Sequence, residues 1–450
     1  LIGYTFAGWT VNADGSGNVY SNGQNISNLT TIPNDTVKFY AKWNIKSYNV
    51  TLNRNITVAG TVNGSGSKAY NSSVTITATT NEGYTWLGWY DGETKVSTGD
   101  NLTYTFTMPA ESKTYDAKWQ ANQATVIFNA NGGEGSMNSV SISTGDALPT
   151  NTFTKSGGYA FNGWSLTSEG EIVCADQEKF IAFEAGVTYN LYAQWSQLYI
   201  RSENYIWFGE YPQTIKANGV TVGTTADSDG YFLGSDGARY AKVVASPYGS
   251  NYTFSTGASV TSGTTYYFKV EPIKWRILEE SDGTAFILAE LIIDNHRYAA
   301  SSNNYMNSEI RAWLNNQFYN TAFNDLQKQI ILTTNVDNRA ASTGTVPNQY
   351  ACANTNDKVF LLSYAEATNA SYGFSNNISR ERITSDYSRS KGAYMRTTAG
   401  AQYGNGYWWL RSPYNISNYA RYVIYDGNIS NRHVNHTLIG VVPALKIQLS

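Results

Sequence analysis

Three histidines and two cysteines are the residues of this chain best suited to catalysis, and none stands in a catalytic setting. His296 lies within Asp294-Asn-His-Arg-Tyr298, where a base or ligand is conceivable and a hydrogen-bonded structural histidine is expected. His433 and His436 fall in a polar C-terminal stretch. Cys174 and Cys352 are far apart, so they form neither a disulfide framework nor a metal-ligand cluster. A nucleophile needs a positioned base, and no His-Glu-x-x-His, phosphate-binding glycine loop or nucleophile elbow is present. Glu279 and Glu280 close a predicted strand, where neighbours point to opposite faces, so they are not expected to pair as acid and base. Asn12-Ala-Asp14-Gly-Ser16-Gly17 imitates the opening of a calcium loop, but Gly23 stands where the bidentate Glu belongs, and a turn is expected. No catalytic residue, metal or cofactor is therefore expected.

The other chemistry on offer is recognition. Between Pro413 and Gly440 stand Tyr414, Asn415, Ser417, Asn418, Tyr419, Arg421, Tyr422, Ile424, Tyr425, Asn428, Ser430, Asn431, His433, Asn435, His436 and Thr437. Tyr offers large contact area at low entropic cost, and Asn and Ser offer adaptable hydrogen bonds, as in antibody paratopes. Binding energy on such a surface concentrates in aromatic and Arg anchors, so Tyr419, Arg421, Tyr422 and Tyr425 are the candidates. Interleaved apolar or small residues, among them Ala420, Val423, Gly427 and Val434, form a frame beneath them.

The elements that must position this surface occupy 450 residues, too many for one ordinary core. The chain is 41% hydrophobic but only 14% charged, with 35 Tyr, 12 Trp and 9 Pro, a β-rich and folded composition. Net charge is −3 without a basic run, which argues against nucleic acid as a partner. The longest apolar stretch, Ala285–Ile293, is short and broken by Glu290, so no segment is expected to insert in a membrane.

Self-similarity dominates the first half. Gly3-Tyr-Thr-Phe-Ala-Gly-Trp9 recurs as Gly83-Tyr-Thr-Trp-Leu-Gly-Trp89 and Gly158-Tyr-Ala-Phe-Asn-Gly-Trp164. Closing strands follow at Phe39-Tyr-Ala-Lys-Trp43, Tyr115-Asp-Ala-Lys-Trp119 and Leu191-Tyr-Ala-Gln-Trp195. Alternation places the rings on one strand face, where they can form a small core. These units resemble Listeria–Bacteroides (internalin B-type) repeats, the middle one being similar to the divergent variant. The resemblance implies tandem β-grasp-like modules that serve as spacers on surface proteins. Boundaries are expected at 1–44, 45–120, 121–197 and 198–450. The first repeat reaches its motif Trp at residue 9, against 40 residues after Ala124 in the third, so about thirty residues of it are expected to lie upstream.

Beyond Leu198 the pattern predicts an α+β domain. Ile273–Leu278 and Ala285–Leu291 read as a hairpin around Ser281-Asp-Gly283. Ile310, Trp313 and Leu314 predict a helix capped by Asn307, with Phe323, Leu326 and Ile330 continuing the spacing, and Ser363-x-x-Glu366 has capping-box form. Strands are expected at Ala420–Tyr425, Ile429–Val434 and Gly440–Ile447, with a turn at Asp426-Gly427. Trp207-Phe-Gly-Glu-Tyr-Pro-Gln, Trp275-Arg-Ile-Leu, Asn307-Ser-Glu-Ile-Arg-x-Trp-Leu314, Lys358-Val-Phe-Leu-Leu-Ser363 and Trp408-Trp-Leu-Arg-Ser-Pro413 resemble a bacterial family without an assigned function. That family is similar to C-type-lectin-fold domains and to variable proteins of diversity-generating retroelements, although Val442 stands where the family more often has Arg. The resemblance implies a C-terminal C-type-lectin-like domain whose surface is rewritten at template adenines. Each of the sixteen polar-stretch residues named above is reachable from an Asn codon by such changes.

The sequence thus implies a mainly β multidomain extracellular receptor or adhesin on a cell or virion surface, with a protein or glycan as ligand. A static adhesin with the same module, or one in which the repeats do the sticking, is the alternative. A formylglycine-generating-like or hydrolytic enzyme is a third class, disfavoured because this domain holds only Cys352.

Overall fold

A computed structural model describes residues 1–449. The chain divides into two compact units: one comprises Leu1–Asn131, Gly135–Phe153 and Gly163–Gln194, the other Gly132–Glu134, Thr154–Asn162 and Trp195–Ser450.

In the repeat unit, the middle repeat is the most regular. Its first strand, Ser47–Arg54, runs parallel to its last, Lys113–Ala121. Gly66–Ala69 flanks the first strand and Tyr84–Asp91 flanks the last, both antiparallel. A three-stranded sheet of Val62–Asn63, Ser73–Ala78 and Thr103–Thr107 completes it. The motif tryptophans close the core: Trp86 meets Trp89 and Trp119 edge-on, with ring centres 5.7 and 4.8 Å away. Trp89 and Trp119 donate their indole N–H to Leu102 O and Thr80 Oγ1, each at 3.0 Å, so burial leaves neither donor unpaired. The third repeat has the same parallel pairing of first and last strands, Gln123–Asn129 with Thr188–Gln197, and buries Trp164 against Phe128. The first repeat holds only the hairpin of Tyr4–Thr10 and Tyr40–Ile45. Its Trp9 and Trp43 remain 36% and 39% exposed, where Trp89 is 0% exposed.

The C-terminal unit is α+β and is built on one long strand, Thr265–Ser281. Tyr205–Ile215 pairs along one edge of it. Arg239–Val244 takes the first half of the other edge and Thr284–Ala289 the second half. The turn into Thr284–Ala289 has Asp282 and Gly283 both at positive φ, 51° and 70°, the two-residue turn whose twist suits a hairpin. Thr284–Ala289 in turn pairs with Ala444–Gln448, which fastens the end of the chain to the sheet. A second sheet runs in the order Asp294–Asn295, Gly440–Val441, Trp408–Pro413, Tyr419–Val423, Ile429–His433.

Helices are short. The predicted helix spans Glu309–Ala322 in three contiguous segments, with Leu314–Phe318 widened to π geometry. Ile310, Leu314, Phe318 and Ala322 are buried at an i, i+4 spacing, and Trp313 is only partly buried. Its cap is Ser308 rather than Asn307, because the Ser308 hydroxyl accepts from Arg311 N. The expected continuation through Phe323 breaks. Phe323 is extended, and a separate helix, Asp325–Ile330, starts from the capping box of Asn324 and Gln327. Ser363 and Glu366 form the expected capping box on the four-residue helix Tyr364–Ala367.

Candidate functional site

The polar stretch hangs on a buried strand. Trp408, Trp409, Leu410, Arg411 and Ser412 are each at most 2% exposed. Both indoles donate to backbone carbonyls, Trp408 to Arg380 O at 3.1 Å and Trp409 to His296 O at 3.0 Å. Arg411 fixes the strand to its surroundings: its guanidinium binds the Glu366 carboxylate, Leu361 O at 2.6 Å and Asp337 O at 3.0 Å. The charge is therefore compensated where it is buried.

Next to it, Tyr419–Val423 and Ile429–His433 form an antiparallel hairpin with Tyr419 opposite His433, Arg421 opposite Asn431 and Tyr422 opposite Ser430. Strand alternation therefore sorts those of the sixteen that lie in the hairpin strands onto two faces, Tyr419, Arg421, Asn431 and His433 on one and Tyr422 and Ser430 on the other. On the first face, Tyr419 and His433 meet edge-on at 5.7 Å. Asn418 Nδ2 lies 2.8 Å from His433 Nε2, and Asn435 Oδ1 lies 2.7 Å from His433 Nδ1, so a ring with its proton on Nδ1 satisfies both. Arg421 projects from the same face but is engaged. It donates to Thr343 O at 2.7 Å and Thr345 Oγ1 at 2.9 Å, and lies over the rings of Tyr364 and Tyr414. Burial holds its pKa below the usual arginine value. Arg421 thus anchors the 343–345 loop rather than waiting for a ligand.

Tyr422 departs further from expectation. It is 6% exposed, with its ring 6.1 Å from Trp409 and 5.5 Å from Tyr407, and burial raises its phenol pKa. It belongs to the core, because it stands opposite Trp409 on the neighbouring strand and shares the face that packs inward. Ile424 is half-buried and packs on the same core. Tyr425 is half-buried within an aromatic group that the sequence did not point to. Tyr394 and Tyr407 stack at 3.9 Å, Tyr425 lies near-parallel to both at 6.4 and 6.2 Å, and the Arg396 guanidinium sits 4.2 Å above the Tyr425 ring. No local spacing joins residues 394, 396, 407 and 425, so no sequence signal could have assembled them.

The remaining positions lie at turns and edges. Asn415, Ser417, Asn428, Asn435 and Thr437 are exposed, whereas Tyr414, Ser430, Asn431 and His436 are half-buried. Burial first, then the charge of Arg432 and the neighbouring His433, lowers the His436 pKa. The 414–419 loop is held by Asn303, which is 2% exposed. Its Nδ2 donates to Tyr414 O, Ile416 O and Tyr419 O at 3.2, 2.8 and 2.9 Å. Gly427, at φ 77°, lies so close to Asn377 that a Cβ would stand 1.7 Å from its carbonyl oxygen. Only glycine fits there. Of the other sequence candidates, His296 stacks on Trp313 and its Nδ1 lies 2.7 Å from Arg297 O. Cys174 and Cys352 are free thiols, both raised in pKa by burial. Asp14 turns back on Ser16, accepting from its N and Oγ.

Comparison with known proteins accounts for most of the chain in pieces. Residues 2–42 and 125–194 match the Listeria-Bacteroides repeat domain, and residues 48–123 match the divergent InlB B-repeat domain. Residues 282–449 match a domain of unknown function, DUF6273. A stretch of 163 residues is 30% identical to a "Putative Gly-rich membrane protein" of Evansella cellulosilytica, covering 36% of this chain and 18% of that protein. A "Putative membrane protein" of the same organism is 31% identical over 163 residues, 36% of this chain and 23% of its own length. The matches thus span about a fifth of those relatives. Among the described residues, no helix is long and apolar enough to cross a membrane.

Proposed function

We propose that the C-terminal domain is a ligand-capture module, displayed at a bacterial or virion surface on the β-repeats, and that its contact face is the outer side of the Tyr419–His433 hairpin with the 414–418 loop. The observation that carries this reading is the contrast between frame and surface. A strand at most 2% exposed supports a hairpin and loops whose outward side chains are Tyr, Asn, Ser and His. The repeat matches and the names of the two relatives support the surface location. In this reading the domain is lectin-like and non-catalytic, it takes a protein or a glycan, and its exposed Asn, Ser and Thr positions and half-buried Tyr positions are substituted through a retroelement. Arg421 and Tyr422, both engaged in the fold, are then the positions where diversification is most restricted.

The direct test is an array of glycans and surface proteins probed with the whole chain and with a Tyr419→Ala/Asn431→Ala variant. Loss of a captured ligand without loss of folding supports the reading. Retention of all binding after residues 198–450 are removed would transfer the activity to the repeats. Sequencing the DNA downstream of the coding region separates a diversified receptor from a static adhesin. A near-copy of the Trp408–Ile447 segment, differing only at adenines, is expected for the former.

A further inference from the structure

Away from the hairpin, two arginines and one glutamate from different segments meet inside the C-terminal unit. Arg276 belongs to the long strand Thr265–Ser281, Glu290 directly follows Thr284–Ala289, and Arg382 directly precedes the short strand Ile383–Thr384. The Arg382 side chain is 5% exposed, those of Arg276 and Glu290 20% and 26%. Glu290 Oε1 lies 3.9 Å from Arg276 Nε and 3.9 Å from Arg382 Nη2, beyond hydrogen-bond reach of either. Nε and Nη2 of both arginines, and Glu290 Oε1 itself, are buried with no hydrogen-bond partner. Arg382 Nη1 is satisfied, donating to Glu381 O at 2.7 Å and Ser379 O at 3.3 Å, and the Phe374 ring covers Arg276 at 4.8 Å.

Two accounts have to balance at this point. Four buried N–H-bearing nitrogens need acceptors, and two guanidiniums that cannot deprotonate face one carboxylate, which leaves one uncompensated positive charge. Burial depresses both arginines, Arg382 to about 10, with Arg276 adding to the effect. Elsewhere in the unit the buried Arg411 meets the Glu366 carboxylate directly, and the buried Arg380 is satisfied by carbonyls and Asn377. A water molecule would supply acceptors but no charge, whereas a small anion supplies both.

We propose that Arg276, Glu290 and Arg382 form a binding site for a small monovalent inorganic anion, of the size and charge of chloride, which fastens the 379–384 segment to the sheet. Crystals of the whole chain grown in sodium bromide test this by anomalous diffraction, with a bromide peak expected in contact with both guanidiniums. In solution, bromide is expected to raise the melting temperature of the C-terminal transition by about 2 °C or more over gluconate at equal ionic strength. Arg382→Met should abolish that difference. Should this variant fail to fold, Arg276→Met, at the more exposed arginine, is expected to do the same. Glu290→Gln, which removes the competing negative charge, should enlarge it. No anomalous peak at the cluster, equal melting in the two salts, or a halide response unchanged in both methionine variants would overturn the proposal.

Discussion

The repeats and the C-terminal domain bury very different things. Polar residues buried in the repeats are uncharged, such as Ser97, Asn122 and Thr144, and the centre of the middle repeat is three tryptophans. The C-terminal domain buries Asp294, Asp357, Arg380, Arg382, Asp386, Arg389 and Arg411. The difference follows from loop length. The middle repeat joins its strands by short connections around aromatic rings, so most of its backbone polarity is consumed within its sheets. The C-terminal domain carries long irregular segments between its strands, and their carbonyls need donors from elsewhere. Arginine, with five N–H groups on a long stem, supplies several at once. Arg389, which donates to Thr253 O at 2.7 Å and to Thr384 O, and Arg411 both work in this way.

Substitutions in the two regions should act on separate cores. Arg411→Met leaves the Glu366 carboxylate with the Ser363 N–H but no counter-charge and takes a donor from two carbonyls, and should cost the C-terminal domain about 3 kcal/mol. Trp89→Ala should cost the middle repeat a similar amount through the cavity it leaves. Calorimetry of the whole chain is expected to show each variant lowering a different transition, and a single transition lowered by both would refute independent cores. Asn303→Ala removes a donor shared by three loop carbonyls, of which Ile416 O and Tyr419 O keep backbone donors, and about 1–3 kcal/mol should be lost, with faster hydrogen exchange over residues 414–419.

The hairpin separates a buried from a half-buried tyrosine. Tyr422→Ala should destabilise the domain by about 3 kcal/mol or more if that ring is core, whereas Tyr419→Ala should stay within about 0.5 kcal/mol while weakening ligand capture at least about tenfold. Equal stability effects at the two positions would erase the two-face assignment. The smallest effect is on pH. His436 has a folded pKa below its ordinary value of 6.5. The unfolded chain therefore takes up that proton first as pH falls. Stability is full above about pH 6.5 and declines as pH drops through the lower folded value. His436→Asn should flatten that part of a denaturation-against-pH curve.

Local rules made much of this molecule legible. The doubled aromatic motif defined the repeats, because period-two alternation and glycine turns act over a few residues and recur. Asp282-Gly283 and the Ser363/Glu366 box were readable for the same reason: a turn or a cap is satisfied by atoms within four residues. The helix cap moved by one residue, from Asn307 to Ser308, since both types can cap and only the backbone path chooses between them.

What the chain could not announce locally was which face of a strand is covered. Alternation separates Arg421 from Tyr422, but Trp409, 13 residues before Tyr422, decides that the tyrosine is interior. The Thr343 carbonyl, 78 residues before Arg421, decides that the guanidinium is engaged. Periodicity, turns, caps and the repeat count are legible along the chain, because short-range sterics and hydrogen bonds set them. Which polar side chains are engaged and which stay at the surface emerged from contacts between distant segments. Desolvation and charge compensation depend on partners that distant segments bring together.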